Sequence, residues 1–178
     1  MPKIADEHPY GGVRAKIKRL GLEPLVSEVR AIITDFELLV EEQVDANGAA
    51  ALRKMIDARF RAIGGWTQRV SGSADWMKTK TVNGTTLRLE VEVQVSARSD
   101  LLIRDVIHLR DSLEQGRIDI GIIVVPSDRL GPFLTDRVPR LKDALRTIRE
   151  ARAENLPLLV IGIEHDGPGP RLPKQSKR

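Results

Sequence analysis

The sequence predicts an α/β protein (mixed α+β) in which a central mixed sheet is flanked by helices and preceded by a helical N-terminal third. Three observations predict this class. Apolar residues recur every three or four positions up to residue 62. An Asn83-Gly84 dipeptide separates two runs with the composition of strands. Two almost wholly apolar runs near the C-terminus, typical of strands buried on both faces, are preceded by helical patterns.

The chain before residue 63 is predicted to be helical. VRAKIKRL (13–20) has the pattern of a short basic helix. A long amphipathic helix is expected over 22–44, and Asn47-Gly48 separates it from a further helix over 49–62. Each helix has one apolar stripe, so this part is predicted to be a scaffold that packs on the sheet.

The middle of the chain is predicted to form strands from WTQRV, SADWMKTKTV and TTLRLEVEVQVS. Asn83-Gly84 predicts a two-residue hairpin turn, because both central residues of a type I′ turn need a positive φ. With that turn Val82 faces Thr85, and continuing the register places Asp75 opposite Glu92.

The remaining chain is predicted to alternate helices and strands. A helix capped by Ser99 should extend to about Gln115, before the buried strand IDIGIIVVP. A helix over 135–155 follows, with a start near Val138 because Pro139 fits only a first turn. LPLLVIGIE forms the last buried strand.

Length predicts one domain, because 178 residues fit a single hydrophobic core. We expect this domain to cover 1–164, with a helical part at 13–62 and a core at 60–164. The Gly, Pro and Lys content of 165–178 predicts a basic flexible tail.

Composition excludes several classes of site. The chain has no cysteine, which excludes disulfides, thiol catalysis and cysteine zinc sites, and its three histidines are far apart. There is no phosphate-loop or G-x-G-x-x-G motif, so no nucleotide cofactor is expected. There is also no apolar run of membrane-spanning length, and the first residues are too polar for a signal peptide, so a soluble cytoplasmic protein without a membrane partner is expected.

Positive charge is concentrated near the two ends of the chain. The net charge is +4, with +3 in residues 1–20, +3 in 165–178 and −2 between them. Basic arms on a nearly neutral body suit a polyanion such as DNA, and they suit equally well a role in solubility.

The predicted hairpin carries the residues that could take part in catalysis or metal binding. Glu90 and Gln94 share a face of their strand with Glu92, and Asp75 lies opposite. Like charges across a ladder are destabilising unless a Lys or Arg lies nearby, one acid has a raised pKa, or a divalent cation binds. Alternatively, this strand face is simply solvated, or a bulge turns Asp75 away from it. Glu90 and Glu92 could also act as the acidic pair.

The same segment has a family resemblance. DWMKTKTVNGTTLRLEVEVQVS resembles the core of the PD-(D/E)xK nuclease fold, in which an Asp precedes a hairpin and Glu-x-Lys lies on the next strand. Here Gln94 takes the Lys position, which is similar to the Glu-x-Gln motif of BglII- and BstYI-type restriction endonucleases. The resemblance covers about 60–166 and includes the later helices and strands.

The resemblance implies a restriction-endonuclease-like fold and a type II restriction endonuclease, which hydrolyses double-stranded DNA sequence-specifically with Mg²⁺ and leaves 5′-phosphates. Asp75, Glu92 and Gln94 would be catalytic, and Mg²⁺ would be held by Asp75, Glu92 and the main-chain carbonyl of Val93. Cutting both strands of a palindrome requires two sites related by a two-fold axis, so a homodimer is expected. A GATC-centred site is suggested by the resemblance alone.

Two further residues are candidates for contacts to DNA. Ser96 and Arg98 follow the catalytic strand, where they could reach a phosphate or a base edge, although a solvated loop is the alternative. Three other functions remain open: a repair or structure-specific nuclease of the same fold, a catalytically inactive DNA-binding dimer, and a small interaction module without a nucleic-acid role.

Overall fold

The computed structural model describes residues 3–68, 75–96 and 101–174. Within these ranges the helices are α1 (Val13–Leu20), α2 (Glu23–Thr34), α3 (Ala49–Ile63), α4 (Leu102–Glu114) and α5 (Leu141–Glu150). The strands are β1 (Lys3–Pro9), β2 (Leu39–Val40), β3 (Thr67–Gln68), β4 (Trp76–Val82), β5 (Thr85–Val93), β6 (Ile120–Pro126), β7 (Leu158–Glu164) and β8 (Gly167–Pro168).

In the described parts of the chain, six strands form one mixed sheet in the order β1-β7-β6-β5-β4-β3. The strands β5, β6 and β7 are parallel, whereas β4 and β3 on one side and β1 on the other pair in antiparallel fashion. β5 therefore lies where the sheet changes from antiparallel to parallel pairing. β2 and β8 form a separate two-stranded parallel pair.

Helices cover both faces of the sheet. The apolar stripes of α1, α2 and α3 pack with one face of β5, β6 and β7 in one buried cluster. α4 and α5 pack on the opposite face in a second cluster. The predicted mixed α+β class is confirmed, and the arrangement is consistent with a restriction-endonuclease-like fold.

The hairpin register is confirmed. Asn83 and Gly84 have φ angles of 49° and 78°, as the type I′ turn requires. The pairing runs from Val82 opposite Thr85 to Trp76 opposite Val91. Asp75, the residue that precedes Trp76, therefore lies just outside the paired region.

The prediction of one helix over 22–44 is wrong beyond Thr34. The Leu38 amide donates to an Asp166 carboxylate oxygen at 2.9 Å, and the Leu38 carbonyl accepts from the Asp166 amide at 2.8 Å. β2 then pairs with β8. These partners lie more than 120 residues away in sequence, so periodicity could not indicate them.

The helix predicted over 135–155 is shorter, because α5 begins only at Leu141. Asp136 and Arg137 have φ angles of 70° and 49°, which a right-handed helix does not allow. The Asp143 side chain accepts a hydrogen bond from the Arg140 amide at 3.0 Å and so caps the first turn. For α4, the predicted cap Ser99 lies outside the described residues, and the described helix begins at Leu102.

Both terminal segments lie on the body of the protein. β1, in a segment to which the sequence analysis assigned no element, pairs with β7 at the edge of the sheet. Composition predicted a flexible tail from residue 165, whereas the described residues 165–174 make specific contacts. His165 is buried, and the Leu172 carbonyl accepts from the Gly48 amide at 3.0 Å. A side chain at Gly48 would collide with the Pro173 carbonyl, which explains the glycine.

Asn47 joins these distant segments. Its carboxamide oxygen accepts from the amides of Glu41 (3.0 Å) and Leu172 (3.1 Å). Its carboxamide nitrogen donates to the carbonyls of Glu41 (2.8 Å) and Phe133 (2.9 Å). The side chain is fully buried, so these four bonds replace those that water would make.

We expect Asn47→Ala to lower the free energy of unfolding by about 2–3 kcal/mol, because it leaves buried backbone groups without partners. Urea denaturation followed by circular dichroism measures this change. The exposed Asn155→Ala is the matched control and should change stability by less than about 0.5 kcal/mol. Equal effects of the two substitutions would contradict the role assigned to Asn47.

Candidate active site

The candidate site forms where β4 begins and β5 ends. Asp75 directly precedes β4, and one of its carboxylate oxygens accepts a hydrogen bond from the Val93 amide at 2.8 Å. Its carboxylate also forms a hydrogen bond with the neighbouring Glu92 side chain. The structure therefore brings Asp75, Glu92 and Val93 together, as the predicted register requires.

The polar face of β5 is buried. Glu90, Glu92 and Gln94 are 0%, 4% and 3% exposed, so the alternative of a solvated strand face is wrong. α4 covers this face: Asp105 accepts a hydrogen bond from the Gln94 carboxamide nitrogen, and His108 Nε2 lies 3.9 Å from a Glu90 oxygen. The opposite face of β5 packs in the apolar cluster with α1–α3.

Burial makes Glu92 a very weak acid. Removal from water, together with the negative charges of Asp75 and Asp105, raises the pKa of its carboxyl to about 9. Burial also raises the pKa of Asp105, an effect that the nearby Arg104 guanidinium opposes. At neutral pH Glu92 therefore holds a proton in this arrangement.

Arg53 of α3 balances the charge of Asp75. Its guanidinium Nη2 lies 2.7 Å from Asp75 Oδ1, and its Nη1 donates to the Val93 carbonyl at 2.7 Å. Its Nε donates to Asp57 at 2.9 Å, and Asp57 also accepts from the Trp76 indole nitrogen at 3.0 Å. A single guanidinium thus joins α3, the start of β4 and the end of β5.

Facing carboxylates can be accommodated by a nearby Lys or Arg, by a raised pKa of one acid or by a divalent cation. The first two are present here together. Asp75 has a cationic neighbour in Arg53, and Glu92 has a raised pKa. Among the described residues, no group of three or more Asp, Glu, His or Cys side chains is arranged to hold a metal ion. The carboxylates that could hold a metal at this place are therefore a pair and not a larger cluster.

Gln94 has one half of its carboxamide engaged. The nitrogen donates to Asp105, and the buried oxygen has no hydrogen-bond partner in the described part of the chain. The backbone amide of Gln94 donates to the Val124 carbonyl at 2.8 Å, which extends the β5–β6 pairing by one residue. The first bond orients the side chain, and the second fixes the backbone that carries it.

Of the two residues predicted to contact DNA, only one can be placed. Ser96 is half-buried just after the end of β5. Arg98 lies outside the described residues.

The sequence did not predict Arg53, Asp57 or Asp105 as residues of the site. Arg53 and Asp57 are four residues apart on α3 and border its apolar stripe, which is a weak signal that they face the sheet. Asp105 lies in the first turn of α4, where an acid also has an ordinary helix-stabilising role. Only the packing of the helices shows that these residues reach the end of β5.

Residues 21–163 match the family described as restriction endonuclease BglII/BglIII. This match covers most of the chain. The chain belongs to the BglII/BglIII restriction endonuclease family. No curated protein matches the sequence. The family match extends the resemblance seen from residue 60 back to residue 21 and so includes α2 and α3, the helix that carries Arg53.

Membership of the BglII/BglIII family has direct consequences for function. It supports the prediction of a type II restriction endonuclease, and the family consists of nucleases that hydrolyse DNA and bind its double-stranded form. None of the helices in the described ranges combines the length and the apolar character that a membrane crossing needs.

The raised pKa of Glu92 predicts a pH-dependent stability. The folded protein keeps a proton on Glu92 up to about pH 9, whereas the unfolded chain loses it near the usual value of 4.5. This contribution is complete below that lower value and is lost as the pH rises toward the higher one, by up to about 1.4 kcal/mol per pH unit. Glu92→Gln, which is always neutral, should flatten this part of the stability curve, as measured by urea denaturation between pH 5 and 9.

The control is Glu150→Gln at an exposed site, which should keep the slope of the unsubstituted protein. A Glu92→Gln curve parallel to that of the unsubstituted protein would show that Glu92 is already ionised in the folded state.

Proposed function

We propose that this protein is a type II restriction endonuclease of the PD-(D/E)xK, Glu-x-Gln type, which uses Mg²⁺ to hydrolyse double-stranded DNA sequence-specifically and leaves 5′-phosphates. The observation that supports this most directly is the contact between Asp75 and the buried Glu92 at the end of β5. This pair lies within the region that matches a restriction endonuclease family.

The donor set at this place fits a divalent cation. Asp75 and Glu92 supply carboxylate oxygens, and Val93 supplies a main-chain carbonyl, which are the oxygen ligands that Mg²⁺ prefers. Burial and the negative charges of Asp75 and Asp105 raise the pKa of Glu92, and a bound cation would relieve the repulsion between these charges. When bound there, Mg²⁺ polarises the scissile phosphate and lowers the pKa of a water molecule.

The protein's own residues then have separate tasks. Asp75 and Glu92 hold the cation, and the hydrogen bond from the Val93 amide fixes the orientation of the Asp75 carboxylate. Gln94 presents an amide oxygen that can accept a hydrogen bond from water and so orient it, although an amide cannot take a proton. Asp105 holds the other half of that amide in place.

Residues after β5 are proposed to contact the DNA. Ser96 follows the catalytic strand directly, and Arg98 comes two residues later, so each is close in sequence to the site of cleavage. Arg is suited to bidentate pairing with guanine in the major groove. We place the enzyme in the cytoplasm, where it would meet DNA.

A gel assay with a long, unmodified linear DNA tests this function. We expect discrete bands with Mg²⁺ and none with EDTA, because cleavage is sequence-specific and needs the cation. Glu92→Gln should lower the cleavage rate by at least about a hundredfold while DNA binding in EDTA persists. Glu150→Gln, exposed on α5, should cleave like the unsubstituted protein.

Other outcomes have distinct meanings. Cleavage unchanged by Glu92→Gln would contradict the site assignment. Intact DNA with a clear mobility shift would identify a DNA-binding dimer without catalysis. Cleavage confined to branched or damaged DNA would identify a repair or structure-specific nuclease. Intact DNA without a shift would favour an interaction module.

We also propose that the enzyme is a homodimer with α4 in the interface. Cleavage of both strands of a palindrome needs two sites related by a two-fold axis. Ile103 and Ile107 lie one turn apart on α4, and each is 36% exposed, so two large apolar side chains reach the surface next to each other. α4 also carries Asp105 of the candidate site, so an interface there would connect the two active sites.

The double variant Ile103→Asp, Ile107→Asp should shift the protein from dimer to monomer, since four buried carboxylates would be placed in the interface. Light scattering coupled to size-exclusion chromatography measures the mass. The control is Val44→Asp, at a described apolar residue with 68% exposure that lies outside α4, which should leave the dimer intact. A monomeric unsubstituted protein, or a double variant that remains dimeric, would contradict this interface.

A further inference from the structure

Arg53 contacts two of the three groups proposed to hold the metal. Its Nη2 lies 2.7 Å from Asp75 Oδ1, and its Nη1 donates to the Val93 carbonyl at 2.7 Å. The other Asp75 oxygen accepts from the Val93 amide at 2.8 Å. Both oxygens of Asp75 are therefore engaged, and one of them is engaged by a positive charge.

A further hydrogen bond, to Asp57, holds the guanidinium in this position. Its Nε donates to Asp57 at 2.9 Å, and Asp57 is fixed in turn by the Trp76 indole at 3.0 Å. Trp76 is buried and stacks on Phe60 of α3, with ring centroids 4.9 Å apart. The Arg53 side chain is only 18% exposed, so water screens its charge weakly.

We infer that Arg53 is an internal counter-cation that competes with the divalent metal for Asp75 and the Val93 carbonyl. Metal binding then requires the guanidinium to give up these two contacts. The inference rests on the metal site proposed above, and it assigns to Arg53 a positioning role: in the metal-free protein it holds both ligands in place and weakens their affinity for a cation. The hydrogen bond from the guanidinium to Asp57, on the same helix, does not depend on either of these contacts.

The positive charge of Arg53 favours competition with the metal over a role that is limited to positioning the metal ligands. A guanidinium that only positioned the ligands would increase cation affinity, because ordered ligands bind better. A unit positive charge in direct contact with the same oxygens opposes a divalent ion by Coulomb repulsion, which is strong in a partly buried site. The two roles therefore predict opposite signs for the effect of removing Arg53.

The test is calorimetric titration of the DNA-free protein with Mn²⁺, an ion that shares the preference of Mg²⁺ for oxygen ligands. Arg53→Gln should bind Mn²⁺ at least about tenfold more tightly than the unsubstituted protein. Arg53→Lys retains the charge and should stay closer to the unsubstituted affinity. Lys54→Gln removes an exposed charge from the same helix and should change the affinity by less than about twofold.

Two controls separate this inference from the proposed function. If Asp75→Asn binds Mn²⁺ as the unsubstituted protein does, the proposed metal site is wrong. If Asp75→Asn loses binding while Arg53→Gln binds no more tightly than the unsubstituted protein, only the competition is wrong. Absence of binding to both the unsubstituted protein and Arg53→Gln would also overturn the competition.

A second measurement does not depend on the folding of a variant. The guanidinium ¹⁵N resonances of Arg53 in the unsubstituted protein should shift when the protein is titrated with diamagnetic Ca²⁺, and the midpoint should match the calorimetric affinity for Ca²⁺. Resonances that stay unchanged while Ca²⁺ binds would show that the guanidinium keeps its contacts, which would overturn the inference.

Discussion

The hydrogen bond from the Val93 amide to the Asp75 carboxylate ties the start of β4 to the end of β5, and it brings a negative charge to the place where Glu92 is already buried. The surroundings balance this charge in two different ways. Arg53 reaches across from α3 to neutralise Asp75, whereas Glu92, which has no such partner in the described residues, keeps its proton. Two helices contribute to this balance, because α3 supplies the cation and α4 excludes the water that would otherwise solvate Glu92.

The position of β5 in the sheet explains why the site forms at its end. β5 pairs with β4 as a hairpin on one side and with β6 as a parallel neighbour on the other. The hairpin brings the residue before β4 next to the last residues of β5, and the parallel side places a helix over the same strand. The hairpin connection thus supplies the carboxylate pair, and the parallel connection supplies the helix that covers it.

The parts that were predictable from sequence are those whose determinants are local. Asn83-Gly84 determines the hairpin register and so places Asp75 next to Glu92, and the apolar runs indicate the buried strands β6 and β7. The prediction of a helix over 22–44 was wrong beyond Thr34 because residues 38–40 pair with residues 166–168. Arg53 and Asp105 were missed for a related reason: a helix sequence shows which residues share a face but not which end of a sheet they reach.

The pairing of the first described strand with the last strand of the sheet affects how the chain reaches its folded state. β1 adds to β7, and residues 166–172 complete the surroundings of Leu38, Val40 and Asn47, so the N-terminal region lacks its partners until the C-terminal region has been synthesised. Ribosomes add only about 5–20 residues per second, so a nascent chain stays open for several seconds. The contacts that close its sheet therefore join residues about 150 positions apart in sequence, a topology associated with slow folding.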